Sequence, residues 1–376
     1  MSWQYLSLDA LIRSGKVSLH RGNIISKRDI EANPGHYPIY SSATKNNGMF
    51  GKYGSYMFDE ELITWSVDGG GHLFYRPKHK FSVTNVGGIL RVLDDTYLNV
   101  KYLYLALDDL HSRVTFDWSR KAHPSVIRLV YDRIPIPPID EQIRIVEALE
   151  QHLSRLDKAL SEVAISMERE ASFKRALLEK AFFGFTGAPP TTLGNHVQTR
   201  KTKGIPSTEP DAKYLGLEHV ESHRGRILGF DSASKYRSAS PIVEEGDVLY
   251  GRLRPYLNKV VIAPSRLYAS GEFIVMLPKN TLDKNFLKFI LMSPRFLAFT
   301  ALLDTGDRPR VSWDKISNFQ FPLPDLNVQK QIVKGVQSSF AVTDKMRSDL
   351  EGMKNQLDTL RRSLLHSAFS GKQGNG

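Results

Sequence analysis

The 376-residue chain contains no cysteine. That absence excludes disulfide scaffolds, thiolate zinc sites, iron–sulfur clusters and cysteine nucleophiles together. It fits a reducing cytoplasm, which is the expected location. Nowhere do 18 apolar residues run together, so no transmembrane helix and no membrane partner are expected. The opening Met1–Asp9 has no basic stretch followed by an apolar one and does not read as a signal peptide. Signs of catalysis are missing as well. Gly15-Lys16 and Gly371-Lys372 lack the upstream glycine and following Ser/Thr of a phosphate-binding loop, and no Gly-x-Ser-x-Gly elbow occurs. His219 and His223 flank Glu221, but Val220 stands where a zinc protease places its glutamate, so no metal site is expected. Asn33-Pro34-Gly35-His36 poorly imitates the Asn/Asp-Pro-Pro-aromatic motif of an adenine methyltransferase. Glu209, Asp211 and Lys213 are too compressed for a nuclease. The expectation is a chain with no catalytic residue, no metal and no cofactor of its own.

What is present is positive charge. Lys and Arg number 51 against 40 Asp and Glu, a net charge of +11. Such a balance favours a polyanionic partner, most often nucleic acid. Residues 1–133 carry +4, 134–187 carry −2, 188–321 carry +6 and 322–376 carry +3. The excess therefore sits mainly in two blocks separated by an acidic one.

Those blocks belong to an internal repeat. Ile134-Pro-Ile-Pro-Pro-Ile-Asp-Glu-Gln-Ile-Arg-Ile-Val146 aligns with Phe321-Pro-Leu-Pro-Asp-Leu-Asn-Val-Gln-Lys-Gln-Ile-Val333 at an offset of 187. Arg175–Gly184 aligns with Arg362–Gly371, and Leu6–Leu8 with Leu193–Asn195, at the same offset. Between these anchors the halves share pattern rather than identity. Leu62–Val67 and Val248–Leu253 read as strands, Tyr102–Leu107 and Phe286–Leu291 as short helices. The period is too long for a solenoid; it is one domain plus one connector, made twice.

The connectors read as long helices. Pro135, Pro137 and Pro138 precede the first, Pro322 and Pro324 the second, where proline suits a helix start. Asp140 and Glu141 follow, matching the positive helix end. In the first, Leu149, Leu153, Leu156, Leu160, Val163 and Met167 step by alternating 4 and 3; so do Met346, Leu350, Met353, Leu357, Leu360 and Leu364 in the second. Alternating steps mark a heptad seam, so the expected arrangement is an antiparallel coiled coil of the two connectors. The alternative is that each helix packs on its own domain. The first seam weakens after Met167, where Glu170 and Lys174 take the next places. A helix of some 44 residues would be about 66 Å long at ~1.5 Å per residue. That compares with ~34–36 Å for one turn of DNA.

Candidate nucleic-acid contacts follow from residue type. In the first block they are Asn46 and Asn47, then Arg76, Lys78, His79 and Lys80, then Arg120, Lys121 and His123. In the second they are Arg200, Lys201 and Lys203, then Arg252, Arg254, Tyr256 and Lys259, then Arg308 and Arg310. Arginine pairs bidentately with guanine and asparagine with adenine, which puts Asn46, Asn47, Arg252, Arg254, Arg308 and Arg310 forward for base reading. Lysine more often serves phosphate. For any single one, a solvated surface charge is an equally good reading. Asp68–His72 reads as a hairpin turn, or as a glycine loop that lets backbone approach phosphate.

The Pro-Pro-x-x-Glu-Gln stretch at Pro137–Gln142 and the Leu-x-x-Ala-Phe-x-Gly endings at Leu178–Gly184 and Leu365–Gly371 resemble the specificity subunit family of type I restriction–modification enzymes. The second copy departs from the pattern, with Asp325 for the second proline and Val328 for glutamate, which should weaken the helix cap there. The resemblance implies an α/β chain of two similar target-recognition domains, each a mixed β-sheet with short helices. Two long antiparallel helices would separate them in a pseudo-twofold repeat: domain 1 at 1–133, helix 1 at 134–187, domain 2 at 188–321, helix 2 at 322–376. It implies that each domain reads half of a bipartite double-stranded DNA site and that the helices set the spacer. Two methyltransferase subunits would modify adenine with S-adenosylmethionine, and restriction subunits using ATP and Mg can join them. By position, Ser119–Pro124 and Gly306–Arg310 match loops that the family brings near DNA. A type IIB-like specificity component, a silent specificity cassette and an RNA-binding protein are the alternatives.

Overall fold

The computed structural model describes residues 3–184, 187–303 and 306–370; Met1, Ser2, Gly371 and Lys372 lie outside them. The chain divides into two compact units, 1–162 with 353–376, and 163–352. Each unit is a globular part joined to pieces of both long helices.

In the first unit six strands form one sheet, in the order Val17–Arg21, Gly87–Val92, Phe58–Ser66, Leu73–Val83, Tyr37–Tyr40, Met49–Tyr53. All neighbours are antiparallel except Tyr37–Tyr40 beside Leu73–Val83. In the second unit Val197–Thr199, Phe273–Pro278, Val248–Gly251 and Val260–Ile262 repeat the first four strands in the same order. Five further strands form a separate mixed sheet, so the halves share a frame and differ in what is built on it. A two-stranded pair closes each globular part, Gln4–Leu6 with Ile134–Ile136 and Pro190–Thr192 with Gln320–Pro322.

Alternation explains why apolar residues run consecutively in the middle of the central strands, Leu62-Ile63 and Val248–Tyr250. Side chains of a strand point to opposite faces in turn. Ile63 and Trp65 enter the main core of the first unit while Leu62 enters a second cluster with Phe81, Val83 and Ile89. Val248 and Tyr250 likewise face one core of the second unit and Leu249 another. Both faces are covered, so most inward side chains are apolar, and the buried polar exceptions Thr64 and Arg76 bond each other.

The long helices run Ile139–Phe183 and Leu326–Phe369. Their starts are held by a buried glutamine. The Gln142 amide donates to Pro137 O (2.8 Å) and Tyr97 O (3.0 Å), and its Oε1 accepts from Asn99 N (2.9 Å). Gln329 makes the same three bonds, to Pro324 O (2.8 Å) and Thr281 O (3.0 Å) and from Asp283 N (2.8 Å). Asn99 and Asp283 are themselves the N-caps of the helices Val100–His111 and Lys284–Met292. One side chain thus ties the connector start to the cap of a domain helix, and both glutamines are 0% exposed. The substitution of Asp325 does not weaken the second start. Its Oδ1 accepts from Asn327 N (3.0 Å) and Val328 N (3.1 Å), supplying a side-chain cap that proline cannot.

The helix endings complete the cores. Phe182 packs edge-on against Phe286, and Leu178 lies beside it in the second unit. Phe369 packs edge-on against Tyr102, with Leu365, Val146, Leu149 and Leu153 in the first unit. The helices are antiparallel within each unit. Arg361 meets Asp157 (2.6 Å) in the first; Lys174 meets Asp344 (2.5 Å) in the second. The early turns also pack on their own domain, so pairing and domain packing coexist. The first seam holds: Leu149, Leu153, Leu156 and Val163 are buried, Leu160 and Met167 half-buried. The second seam needs correction. Leu350, Leu357 and Leu364 face inward, but Met346, Met353 and Leu360 are 53%, 50% and 49% exposed. Two alternating seams share those three leucines. The structure uses the one through Thr343, Arg347 and Arg361, because the guanidinium groups reach acids across the pair: Arg347 reaches Glu170 (3.7 Å) and Arg361 reaches Asp157. Glu170 and Lys174 accordingly continue the first seam as a charged layer, 2.8 Å apart, with Glu170 buried.

Replacing Gln142 or Gln329 by alanine leaves two carbonyls and one N–H without a partner. Each change should cost about 2–3 kcal/mol, read as a lowered urea midpoint at unchanged slope. Met353→Glu and Leu360→Glu should each cost under about 0.5 kcal/mol, whereas Val163→Ala should be clearly destabilising in the same titration.

Candidate nucleic-acid interface

The hairpin between Phe58–Ser66 and Leu73–Val83 turns through Asp68–His72, as a hairpin reading requires. Three loops meet at this end of the first unit. Ala122 N donates to Val67 O (2.8 Å), and Lys121 pairs with Asp68 (3.2 Å). The Trp118 ring lies over Gly71, where a Cβ would come within 2.3 Å of it. Ser42 Oγ donates to Val86 O (2.5 Å), bringing the loop that carries Asn46 and Asn47 to the same edge. Asn46, Asn47, Arg120 and Lys121 are exposed there and His123 is half-buried. Asn46 and Asn47 hold left-handed backbone (φ 50° and 52°), which asparagine tolerates better than most residues.

The structure removes Arg76 from the exposed set. It is 1% exposed, donating from Nε to Thr64 Oγ1 (2.9 Å) and from Nη1 to Asn47 O (2.9 Å). Its guanidinium lies 3.5 Å from the centroid of the Tyr40 ring. The sheet buries this position because strand alternation turns it inward. Lys78 and Lys80 are exposed but sit on the outgoing strand, with Lys80 opposite Asp59, at the far end from the turn. His79 is occupied with Tyr40 (3.1 Å) and Phe81.

The second unit repeats the arrangement. Val311 N donates to Arg252 O (3.1 Å) and Arg254 N to Pro309 O (2.8 Å), so the 252–258 and 306–311 loops lie together. Arg254, Tyr256, Arg308 and Arg310 are exposed on them and Arg252 is half-buried. Arg310 also pairs with Glu272 (2.6 Å). Arg254 is left-handed (φ 51°), a costly conformation for a residue of its size. Asn258 anchors the loop from below: it is 4% exposed, left-handed, and donates to Met292 O (3.0 Å). Lys259 turns away, its ammonium donating to Leu217 O (2.7 Å). Burial lowers the pKa of that ammonium. Arg200 is held by Asp247 (2.7 and 3.0 Å) at the opposite end of the Val248–Gly251 strand, and Lys201 and Lys203 are exposed beyond it. Sequence reasoning missed Trp118 and Asn258; the glycine pair at 70–71 was the available sign that a bulky ring packs there.

Glu218, His219 and Asp231 gather within 4.8 Å, without His223. The His219 Nδ1 accepts from Gly216 N (3.0 Å), so Nε2 carries the proton and faces Asp231 (3.9 Å). A protonated nitrogen offers a metal no lone pair.

The family model described as type I restriction modification DNA specificity domain matches residues 3–164 and again 225–351. The chain belongs to this specificity family. Across 99% of its length it is 20% identical to the type I restriction enzyme EcoDI specificity subunit of Escherichia coli, covering 89% of that protein. A 134-residue stretch is 33% identical to a Mycoplasma pneumoniae protein provisionally named as a type I specificity subunit. That match and a second one span 43% and 48% of those relatives, about half of their length. Among solved structures, a chain described under complex assembly and conformational transition of the type I R-M system superposes with a TM-score of 0.64 at 15% identity, covering 98% of this chain and 97% of its own. This likeness shows the fold. Among the described residues of this specificity-family chain, no helix is long and apolar enough to cross a membrane.

One group on the first edge titrates unusually. Burial, then the nearby His72, lowers the pKa of His111 to about 4 from 6.5, and its ring packs 3.9 Å from Trp118. Between those values only the unfolded chain takes the proton. The contribution of His111 is therefore complete above pH 6.5 and lost as pH falls toward 4. The stability difference between wild type and His111→Phe should shrink over that window in denaturant titrations and be constant above it.

Proposed function

We propose that the chain is the sequence-specificity subunit of a type I restriction–modification complex. The observation that carries the reading is the doubled family match, 3–164 and 225–351, with an exposed basic loop group in each unit. On this reading each loop edge enters a groove of double-stranded DNA and reads one half of a bipartite site. Exposed arginines and asparagines supply base contacts, and lysines hold phosphate. The chain contributes recognition and no catalysis. Two methyltransferase subunits methylate adenine with S-adenosylmethionine, and restriction subunits using ATP and Mg complete the nuclease. Arg254, Tyr256 and Arg308 serve one half-site; Asn46, Asn47, Arg120 and Lys121 serve the other.

Sequencing of modified bases with and without the gene tests this directly. The expected result is loss of one bipartite methylated motif on deletion; an unchanged map overturns the reading, or marks the chain as a silent cassette if its protein binds no methyltransferase. In the active complex, Arg254→Ala and Arg308→Ala should each cost about 1–3 kcal/mol of discrimination at one half-site and leave the other intact, measured by methylation of mismatched duplexes.

A further inference from the structure

The least explained group in the first unit is the buried Arg76. Among the described residues no carboxylate pairs with it, and its Nη2 has no hydrogen-bond partner. Burial lowers its pKa to about 10, so it remains charged at neutral pH. An apolar side chain would fill the space without the desolvation cost of a guanidinium. What the guanidinium adds is reach. Nε is fixed by Thr64 on the central strand, and Nη1 donates to the Asn47 carbonyl in the 41–48 loop. The Tyr40 and Phe74 rings, at 3.5 and 4.6 Å, hold its plane. The loop above it is strained. Asn46, Asn47 and Gly48 are three consecutive left-handed residues (φ 50°, 52° and 75°). A Cβ on Gly48 would lie 3.1 Å from Arg76 Nη2, so the loop rests directly on the guanidinium. Left-handed asparagines in succession persist only where surrounding structure determines them, and such strain gathers at functional sites.

We infer that Arg76 is a positioning residue for DNA recognition: by binding the Asn47 carbonyl it ties the 41–48 loop to the rigid sheet and fixes the angle at which Asn46 and Asn47 meet base edges. It touches no DNA itself. The inference rests on the specificity reading above and adds to it a determinant beneath the contact surface. It assigns the loop a base-reading role, because the residue whose carbonyl is anchored, Asn47, and its neighbour Asn46 are exposed amides.

The test uses the full chain co-expressed with its methyltransferase subunits and duplexes bearing the methylated motif. Arg76→Met removes the hydrogen bonds and keeps an unbranched stem; Arg76→Gln retains a donor and covers the case in which the methionine variant fails to fold. Both should lower discrimination about tenfold at bases of one half-site, with the other half-site and the salt dependence of non-specific binding unchanged. The loss should be no larger when combined with Asn47→Ala, since both act through one loop. Equal discrimination in variant and wild type overturns the inference. So does a uniform weakening at both half-sites that tracks a lowered melting temperature, because that is merely structural support. If Arg254→Ala alters a half-site while the Arg76 variants do not, the positioning role falls and the specificity reading stands. If wild type prefers no sequence, both fall.

Discussion

The architecture depends on a primary amide taken out of water. Gln142 and Gln329 each spend both amide hydrogens and the carbonyl oxygen on main-chain groups that no secondary structure could satisfy. Glutamate in this place would lose the two donors and bring a charge, and leucine would leave three main-chain groups unpaired. The amide therefore fixes both the residue type and the direction in which a helix of 45 or 44 residues departs from its domain. The partner residues, Asn99 and Asp283, cap the neighbouring helix with their side chains and donate to the glutamine with their main chains. A short helix, a strand end and a connector are locked together at one point in each unit.

From that point the two units follow one logic. The central strands are covered on both faces, so their turns are the places left for polar chemistry. In the first unit the turn is glycine-rich and lets Trp118 lie on it. In the second the turn is built on a buried asparagine and carries Arg254 and Tyr256. The same hydrogen bond ties the later loop to each turn, Ala122 N to Val67 O and Val311 N to Arg252 O. A common frame with different loop chemistry is what two readers of different base sequences require. The cores also need the helix endings: Phe182 and Phe369 are 0% and 3% exposed, each completing a core that the globular part alone leaves open.

Much of this was legible from the chain. The offset of 187 between anchors, the proline-marked helix starts and the first heptad seam are local patterns, and local patterns survive folding. The candidate contacts were legible only in part. Arg254, Arg308, Asn46 and Asn47 lie exposed on loop edges, but Arg76 is interior and Arg200 is committed to Asp247. A basic residue looks the same in a sequence whether an anion meets it from solvent or a hydroxyl and a carbonyl meet it from within. The second seam failed for a related reason. Apolarity favoured Met346, Met353 and Leu360, while the pair closes through Arg347 and Arg361, which reach Glu170 and Asp157 on the other helix, far away along the chain.

By itself the sequence determined the repeat, the acidic first connector between two basic domains, the absence of thiol chemistry and the family. Each of these depends on residue type and spacing alone. Only the tertiary structure decided which cations face outward, which arginines bind carboxylates, how Asp325 caps a helix in place of proline, and what the glutamine of the motif is for. Those outcomes depend on groups distant in sequence arriving within 3 Å of one another, and on water being excluded where they meet.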